Sequence, residues 1–372
     1  MQLLNSLSNQ LPDSCFERLQ AAFEDIVSNV QIKSNFCISH PNYKPLELPA
    51  SAAARFQQLP ADLQNKYLSL RVRNFLYCIY YNGSVEPTLA ADANSVNLPL
   101  HQNLENNTVG GLNLEFYEGL HSSNSGEGYF DPGWYVSGQE SDGSLVVQKN
   151  NLTLHIWRDR HLQIESQSAS VGDTVAIRMP CNQVETGCYV AVGNAGLVNR
   201  RAQDANFQIV DIYFNLSPEG AVAVMSSLTR QLNEIRIPFT FKVLSHPSNY
   251  KCYDSGVLQF ERSNYSTVRQ VLQTIYAENQ SHFHESVPLF TKLLALGLGL
   301  AEEPDCKFTA SENFGMNRCQ IVANGLLEAW YKGDDSPENR IGYIRQHFSQ
   351  LGIKLQRPYL NANSEDIYTS LY

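Results

Sequence analysis

The sequence predicts an α+β protein, with a helical N-terminal part followed by a mixed, largely antiparallel sheet and flanking helices. Three observations lead there. Apolar residues recur at helical spacing through the N-terminal stretch, and short β-like runs alternate with turn signals from Trp134 to Tyr213. The stretch Ile209–Phe260 then reads as strand, helix, strand, hairpin.

Pro12-Asp13-Ser14 is a helix start, and Phe16, Leu19, Phe23, Ile26 and Val27 follow it one turn apart. Pro45 and Pro49 mark a break before a second helical run at about Ala52–Gln58. Leu59-Pro60-Ala61-Asp62 opens a third, carried through Tyr67, Leu70, Phe75 and Tyr80 until Asn82-Gly83 stops it. Arg71 and Arg73 on this run read as a solvated face. Residues 84–113 are rich in Asn, Ala and Pro, with little periodicity, and read as a subdomain boundary or a long connection. The expected division is therefore a helical subdomain over 1–113 and an α+β domain over 114–372.

Glu115–Leu120 is a short element, and the glycine-rich stretch from His121 to Trp134 reads as a loop. The β-like runs that follow are Tyr135-Val136, Leu145–Gln148, Leu152–Trp157, Val175–Arg178, Tyr189–Val192 and Ile209–Phe214. An amphipathic helix over about Glu219–Leu232 leads to a strand at Ile237–Leu244, another at Gly256–Phe260 and a helix over Tyr265–Asn279. Helices at Arg318–Tyr331 and Glu338–Leu351 and a polar tail complete the chain.

At 372 residues the chain can bury a sizeable core, and 43% hydrophobic with 17% charged residues is the balance of a folded protein. A formal net charge of −10 argues against a nucleic-acid partner, which needs a cationic surface, but a few local cations can still hold an anion. The eight cysteines contain no CxxC pair, so neither a zinc site nor a disulfide scaffold is expected, and reduced thiols are. The N-terminus lacks the basic-then-apolar order of a signal peptide, and apolar runs such as Leu293–Leu300 are too short to span a bilayer. The expected location is cytoplasmic, or outside the cell as an effector exported by a route without that signature.

One residue stands out chemically. Lys242 lies inside the apolar run Ile237–Leu244, where Thr240, Lys242 and Leu244 share one face and Phe239, Phe241 and Val243 the other. The bland reading is an edge-strand lysine that snorkels to water. The functional reading is a general base, which needs a neutral amine and hence desolvation or a nearby cation, with Lys251, Arg262 and Arg318 as candidates. Tyr250, Lys251, Tyr253, Asp254 and Ser255 follow as a polar cluster.

Arg318 follows Gly315-Met316-Asn317, which looks like a helix start with Asn317 as cap, and a helix N-terminus beside an arginine suits an anion. Its alternative is a pairing with Glu312 or Glu328. The loop Asn124–Trp134 either closes over an anion, with Tyr129 and Trp134 as apolar walls, or is a wide turn. His282-Phe283-His284 lacks a third metal ligand, and Gly297-Leu-Gly-Leu-Ala-Glu302 is not a dinucleotide fingerprint. Cys319 lacks the flanking signature of a thiol protease.

A set of motifs resembles the HopA-type effector family from about Phe116 onward: 124–134, Cys188–Gly193, Tyr213-Phe-Asn-Leu-Ser-Pro218, Phe239-Thr-Phe-Lys242, 297–302 and Phe314-Gly-Met-Asn-Arg-Cys319. The pattern is also similar, over fewer positions, to the phosphoserine/phosphothreonine lyase domains of lanthipeptide synthetases and of OspF-type effector lyases. HopA-like proteins occur in bacterial peptide pathways beside a kinase-like partner that phosphorylates Ser or Thr. The resemblance implies β-elimination of phosphate from a phosphorylated peptide or protein, with no metal or organic cofactor. It assigns Lys242 as base, Arg318 as the first phosphate-binding residue, and Lys251, Arg200 and Arg201 behind it.

Two departures from the lyases are visible. Asn215 stands where they keep a histidine acid, so either another group takes that role, with Tyr213, Tyr253 and His155 as candidates, or phosphate leaves unassisted because cations stabilise it. Asp211 stands where a basic residue is common, and strand alternation puts it on one face with Tyr213 and Asn215. A HopA-type protein that docks on a partner without catalysis, or binds a phosphopeptide without turning it over, is the competing expectation.

Overall fold

Helical spacing in the N-terminal sequence becomes helix α1 (Leu11–Asn29), whose Leu19, Phe23, Ile26 and Val27 are all buried. A computed structural model describes residues 11–33, 36–85, 108–109, 112–198 and 207–372 of the chain. After α1 come three short antiparallel strands, β1 (Gln31–Ile32), β2 (Ile38–His40) and β3 (Tyr43–Leu46), which the helical pattern did not announce. Helices α2 (Ala50–Gln57) and α3 (Ala61–Leu76) each begin directly after a proline, Pro49 and Pro60. That residue's fixed φ suits a helix entrance. The last turn of α3 widens into a π-helical turn, Tyr77–Tyr81.

Strands β4 (Thr108–Val109) and β5 (Leu112–Asn113) lead into α4 (Leu114–Ser123), where the Asn113 side chain caps the Phe116 N–H. A four-stranded antiparallel sheet follows, in the order β8-β7-β6-β9: β6 (Tyr129–Gln139), β7 (Leu145–Lys149), β8 (Leu152–Ile156) and β9 (Thr174–Met179). The one-turn helix α5 (Arg158–His161) lies between β8 and β9. The loop expected over 124–134 is thus only partly a loop. Its second half is the start of β6, with a register irregularity between Asp131 and Trp134 where Gly133 takes φ 85°. Trp134 is buried in the core of this sheet and donates its indole N–H to Asp131 at 2.7 Å, so it walls no open site.

The remaining strands form a seven-stranded antiparallel sheet in the order β10-β11-β13-β14-β12-β16-β15. Its members are β10 (Asn182–Glu185), β11 (Cys188–Val192), β12 (Ile209–Phe214), β13 (Phe239–Leu244), β14 (Gly256–Glu261), β15 (Lys292–Ala295) and β16 (Leu298–Glu302). Helix α6 (Pro218–Glu234) connects β12 to β13. The Leu216-Ser217-Pro218 motif is its entrance: Ser217 accepts from the Gly220 N–H and proline occupies the first turn. Helices α7 (Tyr265–Asn279), α8 (Phe314–Lys332) and α9 (Pro337–Gln350) complete the element list.

The sheet is buried on both faces for much of its width. Phe239, Phe241, Val243, Leu258, Phe260, Val210 and Phe214 point to α6 and α7 in one apolar cluster. On the other face Tyr213 and Ala301 join a second cluster with α1, α3, the π-turn, α8 and α9. The tail from Pro358 to Tyr372 has no regular structure, and side-chain donors hold it in place. Arg318, Arg262, Tyr265, Arg269 and Gln273 donate to its carbonyls, and Lys292 pairs with Asp366.

Candidate functional site: the Lys242 face of the large sheet

Strand register sets the site. Lys242 on β13, Val257 on β14 and Tyr213 on β12 lie in one row across the sheet, and Thr240, Gln259 and Asp211 form the neighbouring row. Two strand spacings put the Lys242 and Tyr213 backbones about 10 Å apart. β13 is hydrogen-bonded on both sides, to β11 and β14, so Lys242 is an inner-strand lysine rather than the edge-strand one of the bland reading. Its side chain is nevertheless 40% exposed and forms an ion pair with Glu185, which is 49% exposed, on β10. An inner-strand lysine that open means that no described helix covers the sheet at this point. The expected neighbour was a cation, and the structure supplies a carboxylate instead. Arg262 is committed elsewhere, to buried Glu302 at 3.4 Å and the Glu365 carbonyl.

The neighbouring row is a polar ladder. Thr240 Oγ1 donates to Gln259 Oε1 at 3.4 Å, and Gln259 Nε2 donates to Asp211 Oδ1 at 2.9 Å. The Tyr213 hydroxyl donates to Asp211 Oδ2 at 3.1 Å. Burial pushes the Asp211 carboxyl up to about 7, against the bonds from Gln259 and Tyr213 that favour its charged form. A carboxyl in that range carries a proton for much of the time at neutral pH, which weakens the repulsion of phosphate expected from its position. Burial likewise raises the Tyr213 hydroxyl well above its ordinary range, so it stays protonated.

Asn215 lies just past the end of β12, buried, with Nδ2 donating to the Ser286 carbonyl at 2.9 Å. There the amide holds a loop. His155, a candidate acid, lies on β8 in the other sheet, 3.9 Å from Glu140. Tyr253 sits on Gly83, whose φ of 64° suits glycine, with its N–H bonded to the Asn82 carbonyl. Lys251 is exposed in the turn between β13 and β14, and Arg200 and Arg201 lie outside the described residues.

Arg318 is 1% exposed in the first turns of α8, where the actual cap is Asn313 rather than Asn317. Its Nε donates to the Pro358 carbonyl at 2.7 Å, Nη2 to the Leu360 carbonyl at 3.0 Å and Nη1 to Asn317 Oδ1 at 2.5 Å. The guanidinium also lies 4.8 Å from the Phe314 ring centroid. Its hydrogen-bond partners are neither Glu312 nor Glu328 but two backbone oxygens of the tail and the side-chain oxygen of Asn317. The structure thus brings Lys242, Tyr213 and Asp211 to one sheet face, and engages Arg318 and Asn215 in holding other segments.

The π-turn beside this face escaped the sequence reading. Each of its three tyrosines leads to a carboxyl: Tyr77 donates to Asp254 at 3.0 Å, Tyr80 donates to Asp25 at 2.6 Å, and Tyr81 packs edge-on, ring centroids 6.2 Å apart, against Tyr213, which bonds Asp211. Asp254 is raised by burial in the same sense as Asp211. The available signal was the density of tyrosines in Tyr77-Cys-Ile-Tyr-Tyr81, which on helical spacing alone reads as a plain helix end. π-Turns are frequent at functional sites. Gly315 of α8 seats the Tyr81 ring, since a Cβ there would come within 2.3 Å of it. Gly315→Ala should therefore cost about 1–3 kcal/mol by overpacking. An unchanged urea midpoint would mean that the ring moves freely.

Among the described residues no group of three or more His, Cys, Asp and Glu side chains could hold a metal ion. No described helix is long and apolar enough to cross a membrane.

Residues 179–360 match the HopA1 effector protein family. Two solved structures align with part of the chain. The effector protein from Pseudomonas syringae pv. tomato strain DC3000 aligns with 15% identity and a TM-score of 0.39, over 67% of this chain and 81% of that one. The effector protein from Pseudomonas syringae pv. syringae strain 61 aligns with 12% identity and a TM-score of 0.40, over the same shares. No curated protein matches the chain significantly.

Proposed function

Because residues 179–360 belong to the HopA1 effector protein family, we propose that the chain acts on a peptide or protein whose phosphorylated Ser or Thr docks against the sheet face around Lys242. One observation carries this reading: an inner-strand lysine, half open to solvent, beside a hydrogen-bonded row of Thr240, Gln259 and Asp211. A dianionic phosphate can be met by exposed Lys251, while Lys242 acts as the base in its neutral form after its proton passes to the Glu185 carboxylate beside it. The reaction proposed is β-elimination. Lys242 Nζ takes the α-proton, its electron pair forms the Cα=Cβ bond, and the Cβ–O bond breaks with phosphate departing. A kinase-like protein that supplies the phosphorylated segment is the partner this chemistry requires.

The test is incubation with phosphoserine and phosphothreonine peptides, read by mass spectrometry for loss of phosphoric acid. Wild-type protein should produce the dehydroamino acid and Lys242→Ala should lose at least 100-fold in rate, the scale of a general base. Elimination at the wild-type rate by Lys242→Ala would remove lysine as the base.

Binding without turnover is a second reading, and specific observations favour it. The amide of Asn215 cannot protonate a leaving group, and Arg318 is occupied by tail carbonyls. On that reading phosphopeptides bind, Lys242→Glu abolishes binding, and no dehydroamino acid forms.

A further inference from the structure

Among the described residues every outer strand but one carries a feature that discourages pairing with another chain. Strands β1, β4 and β5 are two residues long, and β3 contains Lys44-Pro45. β9 is bridged at Ile177 by Leu162, β10 presents Glu185, and the Leu294 carbonyl of β15 accepts the Leu371 N–H. Short length, proline, charge and cover are the usual means of blunting a sheet edge. The outer strand of the four-stranded sheet, β8, has none of them. Leu152-Thr-Leu-His-Ile156 pairs with β7 without a register shift and holds no proline, lysine, arginine or acid. We propose that this edge pairs antiparallel with the same edge of a second copy of the chain, joining two four-stranded sheets into one. That sheet lies almost wholly outside residues 179–360, so the proposal stands apart from the lyase reading.

The turn before β8 fixes which of its backbone groups are open. Asn150 and Asn151 have φ of 49° and 64°, a two-residue turn that makes Lys149 and Leu152 a hydrogen-bonded pair. Alternation then turns the N–H and C=O of Leu152, Leu154 and Ile156 toward β7 and those of Thr153 and His155 outward. No described residue bonds these outward groups. Trp157 ends the open edge, its N–H donating to His161 Nδ1 at 3.0 Å. A twofold axis at Leu154 sets Thr153 opposite the partner's His155, so that each N–H meets a C=O. The same axis sets Leu154 opposite its own copy and Leu152 opposite the partner's Ile156. Leu154 packs against the apolar core of its sheet and Leu152 is 51% exposed, so pairing carries that core across the seam. Charge also suits a self-contact here. In a chain of formal net charge −10 this strand bears no acid, and Glu140 is matched to His155 of its own chain at 3.9 Å. An unrelated extended peptide would gain the backbone bonds but not the twofold match of side chains.

Sedimentation velocity of the full chain from about 1 to 300 µM tests this. One short strand makes a seam below the standard interface size, so a dissociation constant of roughly 10–100 µM is expected. Thr153→Pro removes an outward N–H while leaving the bonds to β7, and should weaken the dimer at least tenfold. Two doubly charged variants at the same exposed positions keep the test independent of proline's effect on folding: Thr153→Glu with His155→Glu, and Thr153→Lys with His155→Lys. Each should be monomeric by itself, with the circular dichroism of the wild type. An equal mixture of the two should dimerise, because opposite charges then meet across the seam. Lys242→Ala should leave the dimer unchanged. The proposal is overturned if the wild type is monomeric throughout, which would leave this edge to an extended peptide of another protein. It is equally overturned if both charged variants dimerise like the wild type, or if their mixture stays monomeric.

Discussion

Asp211→Asn is expected to raise the stability of the protein at pH 8 and to flatten its dependence on pH. The Asp211 carboxyl titrates at about 7 in the folded chain against an ordinary 3.8. The folded state therefore holds this proton more tightly than the unfolded state does. Its contribution to stability is fully present below about pH 4 and is lost as pH rises toward and through 7. A rise of about three pH units corresponds to at most about 4 kcal/mol. Asparagine imitates the protonated acid: its Oδ1 can accept from Gln259 and its amide can donate to the Tyr213 oxygen. Asp254 shifts in the same direction and keeps part of the slope in the variant. Glu303 and Lys307 also act on Asp211, the first raising and the second lowering it, and both remain. Urea unfolding of both proteins at pH 5, 6, 7 and 8 gives the comparison. Parallel curves for wild type and variant would show that Asp211 holds no extra proton.

The second large effect is expected at Arg318. Arg318→Leu removes the donors to two buried tail carbonyls and to Asn317 Oδ1. An unsatisfied buried acceptor costs about 1–3 kcal/mol, so the total loss should reach about 3–5 kcal/mol. Burial lowers the Arg318 pKa to about 10, so the residue is still a cation at neutral pH and its bonds are charge-assisted. Arg318→Lys should recover only part of the loss, since one ammonium cannot span three acceptors laid out for a planar guanidinium. The tail should also become a protease target near Pro358, although Glu302 still accepts from Asn361, Ser364 and Tyr368 and holds its later part. A midpoint shift equivalent to less than about 1 kcal/mol would exclude this anchoring role. Loss of phosphopeptide binding without loss of stability would instead restore Arg318 as a phosphate ligand.

Much of the fold is legible in residues close together in the chain. Phe239, Phe241 and Val243 alternate with Thr240, Lys242 and Leu244, and the strand buries the first set as alternation requires. The Ser217-Pro218 pair starts a helix because hydroxyl capping and a fixed φ are local effects. The same locality explains the misreadings. Pro132-Gly133 looks like a turn by composition, yet pairing of Asp131 and Trp134 with β9 absorbs it as an irregularity within β6. Asn317 looks like a cap, and Asn313 is the cap because its side chain reaches the Met316 N–H.

The candidate site divides in the same way. That Lys242 opposes an apolar face, and that Asp211 and Tyr213 share a side of their strand, follows from a two-residue period that needs no partner. Which strands flank β13, and hence that Lys242 is internal, faces Glu185 and stands in a row with Tyr213, depends on pairings between segments far apart in sequence. The fate of Arg318 lies further still from local pattern, since its acceptors are carbonyls about forty residues away in a tail without periodicity. Dihedral preference and hydrophobic period act over a few residues and are written there, whereas hydrogen-bond partners and burial belong to whatever the closed chain brings alongside.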